Sequence, residues 1–428
     1  MSVINSLFDE KVKAEFIHAW NGYKAYAWGH DDLKPLSKSF HDWYEESLLM
    51  TPVDAFSTMK LMQLNKQAEE AKHLILENLS FNHNFAIQVF EINIRLLGGL
   101  LSAYQLDGDE RFLNLAIDLA DRLLPAFDSP TGMPYRFVNL ATGATKDPLS
   151  NPAEIGTFLL EWGTLSKHTG NPIYYEKAKQ AVRALFAKRS KIDLVGTIIN
   201  VETGEWENSE SHIGGGIDSY YEYLLKGWLM FGDEDLKKMW DTSQTAINRY
   251  LSDQVESGFW YGTVEMHTGV RINTNFGALE AFFPAVLALS GDLERAKQLQ
   301  ESCYKMWMLH DIEPEKVDYS TMKVLHERYI LRPENIESAY YLYYFTKDQK
   351  YQKMGKEFFE SLVKYCRNEV GYSHLSSVKT KEPADAMQSF FLAETLKYCF
   401  LMFSPEETFD FEKMLFNTEA HPLKIWRE

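Results

Sequence analysis

Five carboxylates recur at nearly the same place in a repeating local pattern. Glu91, Glu154, Asp218, Glu280 and Glu334 lie 12 to 18 residues before turns whose aligned residues are Asp109, Asn171, Asp233, Asp292 and Asp348. At a rise of ~1.5 Å per helical residue, that spread amounts to about 9 Å. The acids therefore fall at one end, the N-terminal end, of a set of helices. Glu337 follows Glu334 by one turn in "YILRPENIESAYYLYYFTKD", so the two share a face. A lone Glu at a helix start is ordinarily a solvated acid in the positive end of the helix dipole. Five acids from five repeats would repel one another unless something binds between them. Crowding raises some carboxyl pKa values and leaves other groups ionised, as a general acid and a general base require. A cation would relieve the repulsion. Phe90, Tyr220, Tyr221, Phe282, Phe283, Tyr340, Tyr341, Phe390 and Phe391 flank the acids. Most such aromatics pack a core, but a few at the mouth suit the faces of sugars. The chemistry these residues point to is carbohydrate hydrolysis.

The elements that must position these acids repeat as well. "LDGDERFLNLAIDLADRL", "HTGNPIYYEKAKQAVRAL", "MFGDEDLKKMWDTSQTAI", "LSGDLERAKQLQESCY" and "FTKDQKYQKMGKEFFESL" each read as a short turn followed by an amphipathic helix. Before each turn lies a helix apolar nearly all round, such as "VFEINIRLLGGLLSAY" or "IDSYYEYLLKGWLM". Those helices should be buried and the charged ones outside. "MFSPEETFDFEKMLF" gives a weaker sixth turn, and "AEFIHAWNGYKAYAWG" can complete a seventh pair. Inner and outer helices alternating at about 60 residues build either a closed ring or an open solenoid. No Pro/Gly/Ser-rich linker divides the chain. The expectation is one domain over residues 1–428, a barrel with inner and outer helix rings, with the solenoid as the alternative.

Bulk properties exclude several classes. The 428 residues carry a net charge of −17 with no basic block, so nucleic acid and anionic membranes are poor partners. No run reaches the ~18 apolar residues of a transmembrane span. "MSVINSLFDEKVKAEFIHAW" lacks the basic and apolar regions of a signal peptide. Cys303, Cys366 and Cys399 are odd in number and widely spaced, which fits reduced thiols. The sequon at Asn78 reads as a chance match. "HIGGGID" lacks the Lys-Ser/Thr of a phosphate loop, no Gly-x-Ser-x-Gly elbow occurs, and His30 and His41 lack ligand partners at useful spacing.

"HAWNGYKAYAWGHDDLKPLS", "VFEINIRLLGGLLSAY", "IDSYYEYLLKGW", "LRPENIESAYYLY", "QSFFLAETLKYCFLMFS" and "FNTEAHPL" closely resemble, in order from Ala19 to Leu423, the blocks of glycoside hydrolase family 47, the class I α-1,2-mannosidases. "AYAWGHDDLKPLS" leans toward the ER and Golgi processing branch, and "LEAFFPAVLALSGD" toward the ER degradation-enhancing mannosidase-like branch. The resemblance implies an all-α (α/α)7 barrel. It implies an inverting exo-hydrolase that removes terminal α-1,2-linked mannose from high-mannose oligosaccharides or glycoproteins, with one Ca²⁺. By motif, Glu91 would be the general acid, positioned by Arg95, and Glu334 the general base. Asp218 would hold or activate the water, Glu337 would bind sugar or metal-bound water, and Glu154 would be a further subsite acid. Thr418 would chelate Ca²⁺ through its hydroxyl and carbonyl, with Glu419 in the water shell. Glu280, Phe283 and Gln388 are placed with the substrate-contacting residues.

Two positions depart from the family pattern. Gln388 stands where Glu is usual, and Gly216 where the ER processing branch has Arg. The competing function is a glycan-binding, quality-control-type module with little turnover. A sugar epimerase would need basic residues where the repeats place acids. A monomer is expected, either cytoplasmic or exported by a signal-independent route, a bacterial protein acting on host glycans being one such case.

Overall fold

A computed structural model describes residues 3–427; Met1, Ser2 and Glu428, which the expected domain span includes, lie outside the described residues. Contacts gather the chain into two compact units. One comprises Met1–Ala71, Asp253–Trp260 and Thr274–Asp410; the other comprises Lys72–Ser252, Tyr261–Asn273 and Phe411–Glu428.

The second unit is built on three helical hairpins. Their inner and outer members are Gly98–Asp107 with Glu110–Leu123, Leu159–Thr169 with Ile173–Ala187, and Asp218–Phe231 with Glu234–Ala246. The inner members are buried on every side through their first turns, as Gly98 to Ala103 show. The outer helix Glu110–Leu123 buries only Phe112, Ala116, Leu119, Ala120 and Leu123, a stripe at three- and four-residue spacing. At the turns, the Asp109 and Asp233 carboxylates accept from Arg111 N and Asp235 N, satisfying N–H groups that a helix start leaves open.

The first unit repeats the plan with Phe283–Leu289 and Leu293–Met308, then Glu334–Thr346 and Gln349–Tyr365, capped by Asp292 and Asp348. The N-terminal helix Val3–Tyr26 packs against Leu396–Leu401, so the segment expected to complete a pair does form a helix. The link before the Asp348 cap differs from the others. Gly108, Gly170, Gly232 and Gly291 take left-handed φ values of 86°, 71°, 70° and 90°, but at the fifth of these junctions Lys347 carries φ 56°.

Small sheets, invisible in the helical pattern, aim the inner helices. Ala86–Gln88 pairs antiparallel with Phe137–Asn139, which pairs with Thr145–Lys146. Leu149–Ser150, Ile198–Asn200 and Trp206–Asn208 repeat the arrangement, and in the first unit so do Asn275–Gly277, Lys316–Asp318 and Lys323–His326. In each case the first strand precedes an inner helix, and the two others return after the outer helix. The register, for instance Ala86 opposite Asn139 and Gln88 opposite Phe137, thereby fixes where the inner helix starts.

Expected helices are also interrupted. "AEIGTFLLEWGTLSK" divides into Pro152–Gly156 and Leu159–Thr169. Asn93 Nδ2 donates to Thr157 O at 2.8 Å, taking a carbonyl out of the helical ladder. Gly156 is required at the break, because a Cβ there would meet the Tyr220 ring at 2.6 Å. π-helical turns at Asn93–Leu97 and Phe391–Thr395 widen two other inner helices.

Candidate active site

In the second unit, the strand Ala86–Gln88 runs directly into Val89–Ile92, placing Glu91 in the first turn of an inner helix. The π-helical turn that follows carries Arg95; such turns are frequent at functional sites. Arg95 Nε donates to Glu91 Oε2 at 2.9 Å, and Nη1 donates to Glu419 Oε1. The side chains of Arg95 and Glu419 are 9% and 3% exposed, whereas that of Glu91 is 24% exposed and reachable. Glu91 Oε1 accepts no hydrogen bond among the described residues.

Glu154 and Asp218 also sit at inner-helix starts. Asn151 caps the short helix Pro152–Gly156 by accepting from Glu154 N at 2.9 Å. The Glu154 carboxyl accepts from Gln88 Nε2 at 2.9 Å, Arg136 Nε at 3.1 Å and Ser150 Oγ at 3.3 Å. Burial raises its pKa, and the Arg136 charge opposes the rise. Asp218 is the first residue of its helix and accepts from Ser219 N at 2.8 Å. Two residues earlier, Gly216 has φ 92°, a conformation any L side chain adopts only under strain, so glycine there suits this backbone.

The first unit holds a separate acidic group. Glu280 lies in the 3₁₀ turn Leu279–Phe282, and Glu334 opens the helix Glu334–Thr346 behind Pro333. Arg332 Nη2 donates to Glu315 Oε1 at 2.6 Å, and its Nη1 lies 3.7 Å from Glu334 Oε1. Glu334 Oε2 is buried with no hydrogen-bond partner among the described residues. Burial pushes the Glu334 carboxyl up to about 7, with Arg332 pulling it down and Glu315 and Glu280 adding to the rise. Burial also raises Glu280. Behind them Glu313, 0% exposed, accepts from Asn335 Nδ2 at 3.0 Å, and burial holds its pKa far above the usual carboxylate range. Glu337, one turn beyond Glu334, accepts from Tyr398 OH at 3.2 Å. Gln388 lies just ahead of its inner helix and accepts from Phe391 N through its carbonyl.

One expected contact residue does not fit. Phe283 is 0% exposed and offers no surface to a sugar. It begins the helix Phe283–Leu289, which is buried from Phe283 to Ala288, and its ring packs beside Phe282, so it is a core residue. Several residues of chemical interest escaped the sequence pattern. Arg332, Glu313 and Glu315 come together only through tertiary structure. Glu394, 7% exposed in the Phe391–Thr395 turn, and the fully buried Glu161 both stand as single acids within apolar runs, the signal that could have found them.

Among the described residues, no group of three or more His, Cys, Asp or Glu is arranged to hold a metal ion. The turn at Thr418 offers a different donor set. Thr418 N donates to Tyr223 OH at 3.2 Å, while its carbonyl and hydroxyl oxygens have no hydrogen-bond partner among the described residues. Two hard oxygens on one residue, held open in a turn, fit a hard divalent cation such as Ca²⁺.

Residues 15–425 match the family described as Glycosyl hydrolase family 47. The chain belongs to glycosyl hydrolase family 47. Its relatives include the alpha-mannosidase I MNS4 of Arabidopsis thaliana, 38% identical over 437 residues, which cover 97% of this chain and 69% of that one. The endoplasmic reticulum mannosyl-oligosaccharide 1,2-alpha-mannosidase of Rattus norvegicus is 38% identical over 443 residues, 96% of this chain and 67% of that one. The solved alpha-1,2-mannosidase from Trichoderma reesei superposes with a TM-score of 0.90 at 28% identity, covering 98% of this chain and 99% of that one. The family 47 fold is an (α/α)7 barrel, as expected, and the chain is a glycoside hydrolase.

Proposed function

We propose that this family 47 chain is an exo-acting, inverting α-1,2-mannosidase that trims terminal mannose from high-mannose glycans and depends on Ca²⁺. The observation that carries the assignment is Glu334. It is a carboxyl at the start of an inner helix, with one oxygen unpartnered and its pKa pushed up to about 7, near the pH at which a general base works best. The relatives named 1,2-alpha-mannosidases support the substrate class.

In this reading Glu91 gives its proton to the glycosidic oxygen as the bond to C1 breaks, and Arg95 holds the acid's other oxygen. Glu334 takes a proton from the water whose oxygen forms the new bond to C1 on the opposite face. The released mannose is then first the β-anomer. An inverting pair leaves room for that water, ~6.5–9.5 Å between carboxyls, so Glu334 and Glu337, one turn apart, do not serve as the pair. Asp218 helps hold the water, while Glu154, Glu280, Glu337 and Gln388 contact sugar. Ca²⁺ at Thr418 would supply hard-cation coordination for water and sugar hydroxyls.

The test is incubation with a high-mannose glycan, with and without chelator, followed by mass spectrometry, and with proton NMR of the earliest mannose. Mannose loss that chelator abolishes, with β-mannose first, is expected. Initial α-mannose would overturn inversion, and full activity in strong chelator would overturn the calcium requirement. Glycan binding with no release of mannose in calcium would favour a binding module.

A further inference from the structure

The turn that carries Thr418 is gripped from below by a buried carboxyl that the catalytic scheme does not use. Glu161 lies in the inner helix Leu159–Thr169 and is 0% exposed. Its Oε1 accepts from Tyr223 OH at 2.6 Å and from Asn417 Nδ2 at 2.8 Å; its Oε2 has no partner among the described residues.

Each of those two bonds is the base of an arm that ends on the turn. Along the first arm, the Tyr223 hydroxyl gives its only hydrogen to Glu161, which leaves its oxygen lone pair to accept from Thr418 N at 3.2 Å. Along the second, the Asn417 amide is oriented by donating to Glu161 and to Ile94 O at 2.9 Å. Its oxygen then accepts from Glu419 N at 3.0 Å and His421 N at 2.8 Å. The N–H groups on both sides of the Thr418 carbonyl are thus committed to one root. The Thr418 carbonyl and hydroxyl oxygens are the polar groups of that residue left open among the described residues.

Without an acceptor at Glu161, the Tyr223 O–H is free to rotate, and one donor of Asn417 loses its partner. Both arms then loosen together. Groups that orient a metal's direct ligands typically contribute 10- to 100-fold to metal affinity. We infer that Glu161 is a positioning residue for a hard divalent cation at Thr418, acting through the Tyr223 hydroxyl and the Asn417 amide. The inference rests on the proposed role of Thr418 as the cation ligand.

The experiment is calorimetric titration of chelator-stripped full-length protein with CaCl₂, alongside circular dichroism and thermal unfolding in the absence of calcium. Glu161→Ala and Tyr223→Phe should each weaken Ca²⁺ binding by ~10- to 100-fold. The double variant should bind about as weakly as Glu161→Ala alone, because losing Glu161 already frees the Tyr223 arm, whereas Tyr223→Phe leaves the Asn417 arm held. Glu161→Gln keeps an oxygen able to accept both bonds, and should bind within about threefold of the native chain. Tyr223→Phe, which removes one oxygen atom, decides the matter if Glu161→Ala fails to fold.

Native-like affinity in folded Glu161→Ala or Tyr223→Phe would overturn the inference. So would losses that multiply in the double variant, or a loss in Glu161→Gln equal to that in Glu161→Ala, which would make charge rather than positioning the cause. Thr418→Ala separates the two readings. If it binds calcium as well as the native chain, the Thr418 ligand assignment fails. If it does not bind and the Glu161 and Tyr223 variants do, only the positioning role fails.

Discussion

Arg95 Nε holds Glu91 Oε2 at 2.9 Å one helical turn upstream, while another arm of the same guanidinium reaches Glu419, 324 residues further along the chain. The planar fork gives each carboxylate its own donor, and the partly exposed Glu91 is kept in one orientation by an almost buried partner. If Glu91 is the general acid, Glu91→Gln should lower kcat by ~10²–10⁴-fold with KM little changed. Arg95→Lys should lower kcat less, because a point charge cannot serve both carboxylates at the fork's geometry. Steady-state kinetics on an α-1,2-linked mannose disaccharide check both. A rise in KM at constant kcat for Glu91→Gln would make Glu91 a binding residue.

The pH dependence follows from Glu334. A general base works only when ionised, and burial has pushed this carboxyl up to about 7. kcat/KM should therefore fall as pH drops below about 7, approaching tenfold per unit. Arg332 is the cation that favours the ionised form. Arg332→Leu should move the acidic limb to higher pH, by about one unit or more. A limb that stays in place, or moves down, would separate Glu334 from the base role.

The positions of the acids were legible because helix period and turn spacing act locally. Glu91, Glu154, Asp218, Glu280 and Glu334 all fall within the first three residues of an inner helical segment. The strands that aim those segments were not legible, since two to four residues are too few to show alternation. Phe283 was misplaced because its exposure is decided by packing that local sequence does not show: Phe282 and Phe283 are both buried, at 7% and 0% exposed. Arg332 became meaningful only when the fold brought Glu315, 17 residues earlier, within 2.6 Å. Glu161, though third in its helix, lies only ten residues before Asn171, outside the offset that marks the other acids, and its role depends on Tyr223 and on Asn417, 256 residues away.

The junction at Lys347 offers a stability test. A lysine at φ 56° bears the left-handed penalty of roughly 1–2 kcal/mol that glycine at the equivalent junctions avoids. Lys347 also pairs with Glu406 at 2.9 Å, but their side chains are 48% and 69% exposed, and such pairs contribute only about 0–1 kcal/mol. Lys347→Gly should therefore stabilise the chain by about 0.5–1 kcal/mol, less than the full backbone penalty. Urea unfolding at fixed calcium measures it. A lowered midpoint with unchanged slope would show that the ion pair outweighs the backbone.

Gly98 sets two physical effects against each other, and their magnitudes decide the outcome. It opens the helix Gly98–Asp107, where alanine is the better helix former by about 1 kcal/mol. A Cβ at Gly98, however, would meet Asn417 Nδ2 at 2.5 Å. Asn417 is 1% exposed and cannot swing aside without releasing Ile94 O and Glu161 Oε1. Overpacking of this kind costs about 1–3 kcal/mol, and each displaced hydrogen bond about 1 kcal/mol more. Packing should win, so Gly98→Ala should lower stability by about 2–4 kcal/mol despite the gain in propensity. Because the displaced amide also holds the N–H groups of Glu419 and His421, the same change should weaken Ca²⁺ binding by about tenfold. Thermal unfolding with and without calcium reads both effects. The midpoint should fall without calcium, and the upward shift on adding calcium should shrink. A higher midpoint with a native calcium shift would mean that the helix absorbs the methyl group by moving away from Asn417, and that the turn at Thr418 does not depend on their close approach.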